Sequence, residues 1–116
     1  MHRIHYAGDS IVTGSAIAGA LLDYAQALAH VSESATVEIP ALMKDGRVSV
    51  AEVLIGPASQ LSSQEEPGDH DEIVDEAVVE RMTTEAERLR RYGASLPAAG
   101  TVTDDPVRVW SELEEL

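Results

Sequence analysis

The chain has 116 residues, with 21 Asp and Glu against 8 Lys and Arg, no Cys, no Phe and a formal charge of −13. That length suits one domain closed around one core and is too short for a Rossmann dehydrogenase or a TIM barrel. The charge disfavours direct binding of DNA, RNA or anionic lipid, because phosphate neutralisation needs clustered Lys and Arg.

Without Cys, the chain has no disulfide, thiolate nucleophile or Cys-ligated zinc. No apolar run approaches the ~18 residues that span a bilayer, and Met1–Tyr6 lacks the apolar stretch of a secretory signal. A soluble, cytoplasmic protein with no membrane partner is the expectation.

The charge is concentrated in one place. Residues 1–60 carry six acids and three bases, a balance of −3, whereas residues 61–116 carry fifteen acids and five bases, a balance of −10. Eight carboxylates and no Lys or Arg fall between Glu65 and Glu80. Acidity spread for salt tolerance should cover the whole surface, so clustering favours a local cause.

In chain order, Arg3-Ile4-His5-Tyr6-Ala7 alternates as a strand does. Gly8-Asp9-Ser10 signals a turn and Ile11-Val12 a short second arm. Ile17, Leu21, Tyr24, Leu28 and Val31 then recur at steps of four and three, which predicts a helix over 15–31 with Thr13 or Ser15 as its cap. Thr36–Ile39 reads as a strand that Pro40 ends or places at an edge. Lys44-Asp45-Gly46-Arg47 carries the Asp-Gly pair of a tight hairpin, and Arg47–Ile55 reads as a longer strand stopped by Gly56-Pro57.

Residues 1–57 therefore form an expected β-β-α-β-β core. Residues 58–70 read as an acidic Ser/Gln-rich linker, and 71–92 as an amphipathic helix capped by Asp69 or Asp71. Val74, Ala77, Val78, Met82, Ala86 and Leu89 make the stripe of that helix. Residues 93–116 read as a Pro/Gly-rich tail with a short amphipathic end bearing Trp110. The fold class expected is α+β, a small, mainly antiparallel sheet packed on one helix and followed by a second.

Three motifs carry possible chemistry. Gly8-Asp9-Ser10, directly after a strand, resembles the nucleophile block of GDS-type (SGNH) esterases, which implies Ser10 as a nucleophile. The chain departs from that family's pattern: it has no Asn for the oxyanion hole and no His with an Asp three residues before it. Gly14–Gly19 leads into a helix without the Lys-Ser/Thr of a phosphate loop. Asp69-His70-Asp71-Glu72 offers oxygen and imidazole donors but lacks the spaced ligands of a calcium loop, so no metal, cofactor or catalytic residue is assigned.

The acidic block is the remaining signal. Glu65, Glu66, Asp69, Asp71, Glu72, Asp75, Glu76 and Glu80, with Val79 as an off-stripe apolar contact, compose a candidate surface for a basic protein partner. A non-enzymatic interaction or regulatory protein is the expected function. The alternatives are a self-assembling structural protein, such as a homodimer, that exchanges helix 71–91 between copies, and a small hydrolase using Ser10.

Overall fold

The computed structural model describes residues 1–93. Its elements are β1 (His2–Tyr6), β2 (Asp9–Thr13), α1 (Ser15–His30), β3 (Ala35–Leu42), β4 (Val48–Ile55), β5 (Ser62–Glu65) and α2 (Glu76–Tyr92). The five strands form one antiparallel sheet in the order β4-β3-β2-β1-β5, so the fold is α+β. The sequence-read tail from 94 onward, including Trp110, lies outside the described residues.

The first hairpin is tighter than the Gly8-Asp9-Ser10 signal suggests. Tyr6 pairs with Asp9, leaving Ala7 and Gly8 as a two-residue loop with φ of 49° and 78°. A loop with φ positive at both positions matches the right-handed twist of the arms. Glycine adopts that conformation freely, whereas Ala7 does so at a steric cost.

β3 runs on through Pro40, which pairs with Val50 across the hairpin. On its other side the ladder to β2 holds a single pair, Val12 with Leu42. Proline has no N–H to give there. Thr13 compensates in part, its buried hydroxyl donating to the Pro40 carbonyl at 2.6 Å.

Directly opposed residues share a face of the sheet. Ile4, Ile39, Val53 and Ile55 lie on the face that the helices cover. They join Ile17, Leu21, Tyr24 and Leu28 of α1 and Val78, Met82, Ala86 and Leu89 of α2 in one core. Complete burial of a large apolar side chain contributes about 1.5–3 kcal/mol. α2 packs chiefly on α1, whose face also touches β1 and β5. Arg90 adds a two-pronged contact to the Asp23 carboxylate, at 2.7 and 3.1 Å.

Two boundaries differ from the sequence reading. The 58–70 stretch contains β5, an edge strand whose residues Ser62–Glu65 are polar throughout and present no apolar alternation. α2 starts at Glu76 because Asp75, not Asp69 or Asp71, accepts the Val78 N–H at 3.2 Å as its cap. Val74 thus precedes the helix and is 70% exposed, whereas Val78, Met82, Ala86 and Leu89 form the buried stripe.

The strained hairpin supplies a test. Replacing Ala7 with Asn creates an Asn-Gly pair at the two positive-φ positions and should stabilise the fold by about 1 kcal/mol. A denaturant midpoint that falls instead of rising would contradict this account of the turn.

Candidate functional site

The eight carboxylates from Glu65 to Glu80 do not form a uniform surface. Three of them are engaged in holding the chain together. Glu66 grips Arg3 with both oxygens, at 3.0 Å from Nε and 2.9 Å from Nη2, which holds its carboxyl below the usual range. Asp75 caps α2. Glu72 reaches back to the start of the chain: one oxygen lies 2.7 Å from the Met1 amino group, and the other accepts the Ser15 N–H at 2.5 Å.

That second bond matters for α1. Its N-cap is Gly14, which has no side chain to satisfy the first free N–H groups, and neither Thr13 nor Ser15 does so from its own turn. Glu72 therefore caps α1 from 57 residues away. The cationic amine and the Ser15 N–H together pull the Glu72 carboxyl down to about 2.

Gly14 is buried because the acidic segment crosses it. A Cβ at this position would land on the carbonyl oxygen of Ile73. Ile73 packs against the core, and its N–H points to the Met1 sulfur at 3.5 Å. The Glu66 N–H donates to the Met1 carbonyl at 3.0 Å. Residues 66–73 are thus fastened to residues 1, 3, 14 and 15 by backbone, charge and shape together.

The other five carboxylates, Glu65, Asp69, Asp71, Glu76 and Glu80, are exposed and take part in no ion pair among the described residues. Glu76 and Glu80 rim a shallow groove on α2 with Glu87, and Val74, Val79 and Thr83 lie along it. Val79 is half-buried rather than free, with one side against the core. The exposed apolar contact in this region is Val74. Its position outside the helix removes it from the stripe in which a helical wheel places it.

Ser10 lies on the helix-free face of the sheet, directly across from His5, which also faces Ser62 on β5. Its Oγ accepts a bond from Arg3 Nη1 at 2.8 Å. The His5 Nε2 is buried and has no hydrogen-bond partner. No hydrogen bond joins the imidazole to the hydroxyl among the described residues, and no carboxylate orients the ring. Ser10 Oγ is accordingly engaged by the Arg3 guanidinium, and no base is hydrogen-bonded to it among the described residues.

No group of three or more His, Asp and Glu side chains converges among the described residues. Nor is any helix among them long and apolar enough to cross a membrane. No family model matches the chain, and neither a curated protein nor a solved structure does.

The contact at Gly14 predicts a contrast between the glycine that caps α1 and the one inside it. Gly14→Ala forces the 66–73 segment off α1 and should cost about 1–3 kcal/mol. Gly19→Ala, in α1 with nothing within 4 Å, should stabilise by about 0.5–1 kcal/mol. Equal effects in urea unfolding would contradict the close approach.

The pH dependence of Glu72 follows from its lowered pKa. A carboxyl depressed in the folded state contributes stability above its ordinary value of 4.5, and that contribution disappears as pH falls toward about 2. The stability difference between the parent and Glu72→Gln should therefore be largest near neutral pH and close over that window. A difference that persists unchanged at pH 2 would place the role of Glu72 elsewhere.

Proposed function

We propose that this is a non-enzymatic interaction protein that presents the α2 groove and its surrounding carboxylates to a basic segment of a protein partner. The observation supporting this reading is the exposed Val74 beside Glu76 and Glu80, which have no ion pair among the described residues. An apolar centre with a one-sign rim is what a Lys- or Arg-bearing amphipathic segment complements. The apolar strip supplies area to bury, and the carboxylates supply attraction and orientation. Five exposed carboxylates between Glu65 and Glu80, unpaired among the described residues, also raise the encounter rate with a cationic surface, an effect that salt screens with a Debye length of about 10 Å at 0.1 M.

The three carboxylates already engaged by Arg3, the Met1 amine and the α2 backbone contribute less to such a field. Glu65, Asp69, Asp71, Glu76 and Glu80 are the contacts, with Val74 and the open side of Val79.

A helical peptide of alternating Lys and Leu faces tests the reading by fluorescence anisotropy. Glu76→Gln with Glu80→Gln should weaken its binding about fivefold at low salt, and Val74→Ser should weaken it further. Asp9→Asn with Asp45→Asn removes the same charge elsewhere and should do little. Equal losses in the two double variants would reduce the effect to net charge and reject the groove.

A further inference from the structure

The two edges of the sheet are unlike. β5 is four residues long and polar, and Pro67 follows it closely. These are features that blunt an edge. β4 is eight residues long, Val48–Ile55, and contains no Pro, Lys or Arg. On its helix-free face Val48, Val50 and Leu54 are 56%, 64% and 65% exposed. Among the described residues its outer backbone groups have no strand partner.

The charge on this edge is only loosely matched among the described residues: Glu38 and Glu52 line a groove with Arg81 of α2 but form no ion pair with it. Glu52 lies between Val50 and Leu54 on the same face and is directly opposite Glu38 on β3. Both are exposed, and neither has an ion-pair partner among the described residues. Like charges facing each other across a ladder repel. A cation arriving beside Glu52 turns that repulsion into attraction. A second copy of β4 would bring another Glu52 and no cation, so self-pairing leaves the conflict in place.

We propose that the β4 edge accepts an extended segment of a partner protein as an added antiparallel strand. In this arrangement a Lys or Arg of the segment stands opposite Glu52, and apolar, preferably β-branched, residues stand opposite Val50 and Leu54. Backbone hydrogen bonds along β4 supply affinity, and the alternating side chains supply selectivity. The surface is separate from the α2 groove, so each can fail without the other.

The test uses the full chain, isotope-labelled for NMR, and a synthetic peptide Val-Thr-Lys-Thr-Val-Thr-Val, compared with its counterpart carrying Glu in place of Lys. Amide shifts and slowed hydrogen exchange are expected at residues 48–54 with the Lys peptide. It should bind about two- to fivefold more tightly than the Glu peptide, and Glu52→Lys should reverse that preference. The proposal is overturned by unshifted amides at 48–54, or by equal binding of the two peptides. A doubled mass by light scattering with 48–54 protected would assign the edge to a second copy. Tighter peptide binding after removal of residues 94–116 would assign it to the chain's own C-terminal residues. Either result would also overturn the proposal.

Discussion

The contact on which the rest of this structure depends is the crossing of residues 66–73 over the start of the chain, with Glu72 at its centre. α1 begins on a glycine and has no cap of its own. β5 must lie against β1, and α2 must begin where its stripe meets α1. One short segment meets all three requirements. The Glu66 N–H bonds to the Met1 carbonyl, the Glu66 carboxylate to Arg3, and the Glu72 carboxylate to the Met1 amine and the Ser15 N–H. Gly14 permits this because it keeps the path of the Ile73 carbonyl clear. A side chain there would push away the segment that caps the helix.

This crossing changes the meaning of the acidity. A cluster of carboxylates is usually a source of repulsion that the fold must tolerate. Here part of the cluster is consumed by the few positive groups of the N-terminal strand, and a further carboxylate caps α2. The attraction between the start of the chain and residues 66–73 is built from the same residues that give the C-terminal half its charge. What remains unpaired is displaced outward, on β5, on the loop before α2 and on the first turns of α2. A strongly charged stretch thus serves stability with one subset of its residues and leaves another subset exposed and without an ion pair among the described residues.

Much of the architecture was legible because it rests on local rules. The four-three spacing of Ile17, Leu21, Tyr24 and Leu28 can only be one face of a helix. The Asp45-Gly46 pair and the β-branched run after it define the β3–β4 hairpin. β5 was not legible, since Ser62–Glu65 has no apolar period and becomes a strand only because β1 offers an edge. The start of α2 is not legible because Asp69, Asp71 and Asp75 are equally good caps on paper, and the choice among them is made by where the crossing ends. In the candidate site, the acidic residues and Val79 were visible as a composition, but their partners Arg3, Met1 and Ser15 lie some sixty residues away. Gly14 carried no signal of its tertiary role beyond being a glycine before a helix.

An eight-residue unblunted edge with exposed valines is ordinarily an invitation to self-association. The hairpin 35–55 carries Glu38, Asp45 and Glu52 against Lys44 and Arg47, a balance of −1 in a chain of −13. Locally it offers little resistance to another strand. Resistance would come from Glu52 and from the rest of the molecule, because two copies brought together over β4 also bring together two acidic surfaces and two Glu52 side chains. Screening at physiological salt, with a Debye length of about 8 Å, weakens the former but not the latter, which meet across a strand spacing. A cationic segment is subject to neither penalty and is attracted by both charges. The repulsion between copies and the open edge would therefore favour the same kind of strand, a cationic one, which is the proposal made for β4.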